Sequence, residues 1–122
     1  MAQSALHAAN SFSGFRSFRK PESLKPEETI FSIQLNGDSL KQAAILNGDI
    51  VVCRKTSTLD FGGQLAAVRL PEGITVKFIW IDGETVILQG RNPKFPLLTF
   101  PLNQVEILGT AIRIERDLPF LK

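Results

Sequence analysis

Six short apolar runs, each broken by glycine, asparagine, aspartate or proline, constrain the fold of this chain more than any other feature of its sequence. They are rich in Val, Ile and Phe, and they cover residues 30–35, 49–55, 64–70, 74–81, 85–89 and 105–114. Asp82-Gly83 between two runs predicts a hairpin and therefore antiparallel pairing. Only residues 40–46 are typical of a helical turn. The sequence predicts a mostly β fold, either a small folded sheet or a partial barrel.

The chain changes character near Thr29. Residues 1–29 are rich in Ser, Ala, Pro and charge, whereas the rest carries the apolar runs. We therefore expect a flexible N-terminal arm over residues 1–29 and one domain over residues 30–122, since 122 residues is the size of a single domain.

Aromatic and basic residues alternate in the arm, and two interpretations of this pattern differ. The residues are Phe12, Phe15, Phe18, Arg16, Arg19 and Lys20. They suit stacking on single-stranded nucleic acid or a membrane surface, or a segment packed against the domain core. A few positive charges attract a polyanion only weakly. This favours the interpretation in which the segment packs against the core.

The net charge and the counts of cysteine and histidine disfavour several kinds of partner and of catalytic or metal site. A net charge of +2 predicts no strong direct nucleic-acid binding, and no apolar run is long enough to span a bilayer. The single cysteine, Cys53, excludes an intramolecular disulfide and favours the cytoplasm. Because His7 is the only histidine, a His-dependent triad or His-based metal site is disfavoured. We expect no cofactor and no metal.

Ser39 and Lys77 are the candidate catalytic residues. Ser39 follows a predicted strand and opens the helical turn, a place where backbone N–H groups can hold an oxyanion. Lys77 lies on a strand of otherwise apolar and β-branched residues, on one face with Thr75 and Ile79. A strand lysine usually reaches water. If buried, it would lose its proton readily and could accept the proton of a serine hydroxyl.

The order of several motifs resembles the peptidase domain shared by LexA, UmuD and lambda-type phage repressors. The resemblance runs from Ile30 onward and rests on Gly37-Asp38-Ser39-Leu40, Leu46-Asn47-Gly48-Asp49-Ile50-Val51-Val52, Thr75-Val76-Lys77, Arg91-Asn92-Pro93-Lys94-Phe95-Pro96 and Leu108-Gly109-Thr110-Ala111-Ile112-Arg113. It implies that Ser39 is a nucleophile, that Lys77 is its general base and that the amides of Asp38 and Ser39 hold the oxyanion. It also implies a self-cleaving serine peptidase of the SOS response that forms a homodimer.

Within that family the short arm is similar to UmuD, which implies stimulation by RecA filaments on single-stranded DNA and service to an error-prone DNA polymerase. The alternative is the dimerisation and self-cleavage half of a LexA-like transcriptional repressor. We expect the dimer to form through the apolar stretch of residues 105–121, whose strand edge suits a symmetry mate.

Two departures from the family pattern leave a third interpretation open. Leu40 replaces the usual methionine, which conserves volume. Family members are cut at Ala-Gly or Cys-Gly bonds, and residues 1–29 contain neither; Gly14 follows Ser13. The chain is therefore alternatively a non-cleaving binding module of the same fold. A GDSL esterase is disfavoured because no histidine follows the motif, and a signal peptidase because no membrane anchor is evident.

Overall fold

The computed structural model of this chain describes residues 14–19 and 29–118. Most of the predicted arm, including His7 and Phe12, lies outside these residues. The described part contains eight strands: β1 (Gly14–Arg19), β2 (Ile30–Gln34), β3 (Ile50–Lys55), β4 (Gln64–Leu70), β5 (Gly73–Asp82), β6 (Thr85–Gln89), β7 (Leu98–Pro101) and β8 (Glu106–Glu115). Two short 3-10 helices, Lys41–Ala43 and Leu102–Gln104, complete it.

All eight strands belong to one antiparallel sheet in the order β1-β2-β3-β8-β4-β5-β6-β7. The strand β8 joins its two halves. The first part of β8, from Glu106 to Thr110, pairs with β4, and the part from Gly109 to Glu115 pairs with β3. Register shifts at both pairings mark the places where the strands depart from a regular ladder. The C-terminal strand therefore connects a β1-β2-β3 group to a β4-β5-β6-β7 group.

The prediction of a mostly β fold with hairpin turns is confirmed. All six predicted runs are strands, and β5 and β6 form the hairpin at Asp82-Gly83. The sequence did not predict β7, which is an edge strand of four residues that ends in Pro101. Proline removes a ladder hydrogen bond and is tolerated mainly at such edges, which weakens the strand signal. Gly14–Arg19, assigned to the arm, pairs with β2.

The sheet buries apolar side chains in two clusters. The first contains Phe31, Ile33, Leu35, Leu40, Ile45, Val51, Cys53, Ala67 and Val76. The second contains Ala66, Val68, Leu70, Ile79, Val86, Leu88 and Phe100. The strand β5 contributes to both clusters, because Val76 and Ile79 point to opposite faces of the sheet. Burial raises the pKa of the Cys53 thiol to about 12, so this cysteine is an unreactive core residue. No helix within residues 14–19 or 29–118 is long and apolar enough to cross a membrane.

A buried carboxylate ties the end of the sheet to the loop before β3. Both oxygens of Asp49 accept hydrogen bonds from Arg116 at 2.8 Å, and Oδ2 also accepts from the Leu46 amide at 2.7 Å. Arg116 Nη2 also donates to the Ala44 carbonyl at 2.7 Å. The side chain of Asp49 is only 3% exposed, whereas that of Arg116 is 43% exposed. The guanidinium of Arg116 lowers the pKa of Asp49 below its ordinary value of 3.8.

We expect Asp49→Asn to destabilise the fold near neutral pH by about 1–3 kcal/mol, the usual range for a lost charge-assisted hydrogen bond. Because the folded-state pKa is lowered, the Asp49 carboxylate stabilises the fold above about pH 4 and loses this effect as the pH falls. The difference between wild type and variant should therefore shrink between about pH 6 and pH 2.5 in urea unfolding. Asp82→Asn, at an exposed turn, is the control. A difference that does not change with pH would contradict this role for Asp49.

Candidate active site

Ser39 lies in a turn between β2 and the first 3-10 helix. The turn is anchored before the serine, where the Gly37 amide donates to Asn47 Oδ1 at 2.7 Å. Gly37 has a φ of 112°, a conformation that side chains other than glycine rarely adopt. The turn is also anchored after the serine, because Leu40 is 1% exposed and packs in the first apolar cluster. The serine residue is itself only 6% exposed, so its hydroxyl is fixed rather than freely solvated.

The loop after β6 packs against this turn. The Arg91 amide donates to the Ser39 carbonyl at 2.6 Å, and the Arg91 carbonyl accepts from the Gln42 amide at 2.7 Å. Gly90 approaches so closely that a Cβ atom placed on it would collide with the Ser39 carbonyl oxygen. Glycine is therefore required at position 90 for the two backbone segments to meet. The position of Ser39 thus depends on a loop about fifty residues away in the chain.

Lys77 reaches Ser39 from the middle of β5. Its Nζ lies 3.2 Å from Ser39 Oγ, 2.9 Å from Thr75 Oγ1 and 3.4 Å from the Val76 carbonyl oxygen. Thr75 and Lys77 are two residues apart on one strand and share one face, which explains why both point to the serine. Together with Ser39, these side chains form a buried polar cluster beside the apolar core.

Burial makes the Lys77 ammonium a stronger acid than that of an exposed lysine. The residue is 3% exposed, and desolvation lowers the pKa of its ammonium from 10.5 to about 7. A neutral amine has one lone pair and two hydrogens. With Thr75 Oγ1 and the Val76 carbonyl oxygen accepting those hydrogens, the lone pair is directed at the Ser39 hydroxyl. The arrangement can therefore accept the serine proton near neutral pH.

Two amides beside the serine are available to a ligand. Within the described part of the chain, neither the Asp38 nor the Ser39 amide donates a hydrogen bond to another group. Consecutive free N–H groups next to a nucleophile are typical of an oxyanion hole. They are also the two amides that the family resemblance implies for this role.

A surface groove of about 460 Å³ adjoins the turn. One side is formed by Asp38, Lys41 and Gln42, and the other by Asn92, Lys94 and Phe95. The groove has room for a short stretch of extended peptide, and it adjoins Ser39 through Asp38, while Ser39 and Lys77 themselves do not line it. Among the residues that the structure describes, no three His, Cys, Asp or Glu side chains come together as a metal site would require.

The structure brings together Ser39 and Lys77, which the sequence singled out on separate elements. Sequence reasoning placed Thr75 on the correct face without giving it a role. It assigned no role to the loop of Gly90 and Arg91, although Arg91 begins one of the family-like motifs. The available signal was the glycine directly after an apolar strand, but a close backbone approach between distant segments depends on the fold and has no local pattern.

Comparison with known proteins identifies relatives of this chain. The LexA repressor of Exiguobacterium sp. is 32% identical over 101 residues, which is 83% of this chain and 48% of that protein. The LexA repressor of Vibrio parahaemolyticus is 31% identical over 99 residues, 80% of this chain and 47% of that protein. The LexA repressor of Herpetosiphon aurantiacus is 31% identical over 90 residues, 73% of this chain and 42% of that protein.

The chain spans about half the length of these curated relatives. A family model extends the similarity, since the model described as Peptidase S24-like matches residues 5–112, which is most of the sequence. With a buried serine and lysine in contact, free amides beside them and this match, the chain belongs to the Peptidase S24-like family.

Proposed function

We propose that this chain is a LexA-like self-cleaving serine peptidase domain in which Ser39 is the nucleophile and Lys77 its general base. The observation that carries the proposal is the contact between the buried Lys77 Nζ and Ser39 Oγ, at 3.2 Å. A lysine held in this way has a pKa of about 7, so a large fraction of it is unprotonated at neutral pH. Serine and lysine alone are sufficient for acyl transfer.

The proposed reaction has two steps. Ser39 Oγ attacks the carbonyl carbon of a peptide bond while its proton passes to Lys77 Nζ, and the Asp38 and Ser39 amides stabilise the resulting oxyanion. Lys77 then gives the proton to the leaving amine, and the peptide C–N bond breaks. In the second step, water attacks the acyl ester with Lys77 again as base, which restores the serine and releases a new carboxylate.

The relatives favour a repressor over a polymerase accessory. Those compared above are named LexA repressors, and the chain corresponds to about half of each. These names support the proposal that the chain is the self-cleavage half of a LexA-like repressor of the SOS response. They count against the UmuD-like protein that the short arm favours. The absence of Ala-Gly and Cys-Gly from residues 1–29 keeps the non-cleaving module as the outcome to be tested.

The proposal includes two partners. A second copy would add to β8, because residues 111–115 pair with β3 on one side and have no strand on the other within the described part of the chain. A RecA filament on single-stranded DNA is the proposed stimulus of cleavage, on the basis of the family resemblance.

Intact mass measurement tests the proposed function. The longest natural form of the protein is incubated at about pH 7 and pH 9.5, and then with RecA, ATP and single-stranded DNA. Raising the pH removes the Lys77 proton and should speed the release of one discrete fragment. Ser39→Ala should abolish that release, and Ser57→Ala, at an exposed loop, should not. A protein that stays intact under every condition would identify the non-cleaving module.

Thr75→Val tests how Lys77 is oriented. Without the Thr75 hydroxyl, one hydrogen of the Lys77 amine has no acceptor and its lone pair is no longer directed at Ser39. We expect the reaction of Ser39 with a fluorophosphonate probe to slow by about tenfold, because misorientation of a catalytic group commonly has an effect of this order or larger. Thr110→Val, at an equally buried threonine, is the matched control. An equal loss in both variants would show that the effect is structural.

A further inference from the structure

A side-chain hydrogen bond links the loop after β6 to the peptide unit at Ser39. Asn92 Nδ2 donates to the Asp38 carbonyl oxygen at 2.9 Å. The Asp38 carbonyl and the Ser39 amide belong to the same peptide unit, which is planar and trans. Fixing the direction of this carbonyl therefore also fixes the direction of the Ser39 N–H, which points the opposite way.

The orientation of the Asn92 side chain is determined at its other end. Its Oδ1 accepts a hydrogen bond from the Lys94 amide at 2.9 Å, and its carbonyl oxygen accepts from the Phe95 amide at 3.0 Å. An oxygen must face the Lys94 N–H, so the NH₂ group must face the Asp38 carbonyl. The hydrogen bonds within its own turn therefore orient Asn92, independently of its contact with the Ser39 turn.

We propose that Asn92 is a positioning residue for the oxyanion hole, holding the Asp38–Ser39 peptide so that the Ser39 amide points at the developing negative charge. The inference rests on the proposed function, because it assumes that Ser39 is the nucleophile. The Asp38 carbonyl also accepts from the Lys41 amide at 3.1 Å, so both of its lone pairs are engaged. Hydrogen bonds at the oxygen end of a peptide polarise it and make its N–H a better donor.

Asn92 acts through a peptide unit and leaves the base untouched. Lys77 has its own contacts with Ser39, Thr75 and the Val76 carbonyl, and none of them involves Asn92. Loss of Asn92 should therefore lower the maximal reaction rate and leave the pH midpoint of the reaction unchanged. A general loosening of the site would instead admit water to Lys77 and shift that midpoint upward.

The test uses a fluorophosphonate probe on the full chain, so that no scissile bond is needed. The Ser39 Oγ–phosphorus bond forms, fluoride leaves and the hydroxyl proton passes to Lys77; intact mass gives the rate. Asn92→Ala should lower the plateau rate by about 10- to 100-fold with the midpoint unchanged. Asn103→Ala, at an exposed asparagine in the second 3-10 helix, should react at the wild-type rate.

Asn92→Asp separates positioning from local structure. An aspartate keeps the oxygen that accepts from the Lys94 amide, so the turn survives, but it has no hydrogen to donate to the Asp38 carbonyl. We expect it to lose as much reactivity as Asn92→Ala while its thermal unfolding stays close to that of wild type.

Wild-type reactivity in Asn92→Asp, or a raised pH midpoint in Asn92→Ala, would overturn the positioning role and leave the proposed function intact. A wild-type protein that the probe does not label at Ser39 would instead contradict the proposed function itself.

Discussion

Lys77→Arg is expected to lower the rate of self-cleavage and of Ser39 labelling by about 10⁴-fold or more, as removal of a member of a catalytic unit does in other serine peptidases. The guanidinium keeps the positive charge and much of the length of the side chain, but it does not release its proton in the accessible pH range. It therefore supplies no base for the serine hydroxyl. The measurement is single-turnover labelling or cleavage followed by mass.

Two comparisons distinguish loss of the base from general damage. Lys55→Arg, at the end of β3, provides a lysine replacement outside the site and should keep full activity. The double variant Ser39→Ala/Lys77→Arg should be no less active than either single variant, because in the proposed mechanism the two residues act as one unit. Appreciable activity in Lys77→Arg at about pH 8 would show that another group accepts the proton.

Lys77→Met is expected to stabilise the fold at neutral pH while it removes activity. In the unfolded chain Lys77 has a pKa of 10.5, whereas burial lowers the folded-state value to about 7. Between these values the unfolded chain binds a proton that the folded chain does not, so the stability of the wild type rises with pH in this interval. Below about pH 7 the full penalty of burying the lysine applies. Methionine fills a similar volume without a charge and has no such penalty.

The measurable quantity is the difference in unfolding free energy between Lys77→Met and wild type. We expect it to be larger at about pH 7 than at pH 9.5 by roughly 3 kcal/mol, since each unit of pKa difference corresponds to about 1.4 kcal/mol. Urea unfolding at the two pH values gives it directly. Comparing the variant with wild type cancels the contribution of every titrating group that the substitution leaves unchanged. A difference independent of pH would mean that Lys77 is charged in the folded protein.

How much the sequence predicts depends on whether a feature is local. Alternation of apolar residues and turn signals predicted β2 to β6 and β8, and the alternation along β5 placed Thr75 and Lys77 on one face. The short β7 lacked such a pattern. Its four residues end in a proline, which is unfavourable in a strand. The strand forms because it pairs with β6, and this pairing has no signal in its own sequence.

The details of the site that escaped prediction are contacts between distant segments. The hydrogen bonds of Arg91 and Asn92 to the Ser39 turn join residues about fifty positions apart. The bidentate pair of Asp49 and Arg116 joins the start of one strand to the end of another. A polar residue in a loop carries no information about which backbone it will meet, because that depends on the registers of the strands between them.

The placement of β8 has a consequence for the timing of activity during synthesis. Ser39 follows β2, Lys77 lies on β5, and in the order of the sheet every path of strand pairing between these two elements passes through β8. A nascent chain that has emerged only as far as β7 has both residues and the loop after β6 that contacts the Ser39 turn, but not the strand that joins the two groups into one sheet. Synthesis proceeds from the N-terminus, so β8 emerges after all the other strands. The two groups of strands cannot pair through β8 before then. We therefore expect Ser39 and Lys77 to come into contact, and any self-cleavage to begin, only after β8 has left the ribosome.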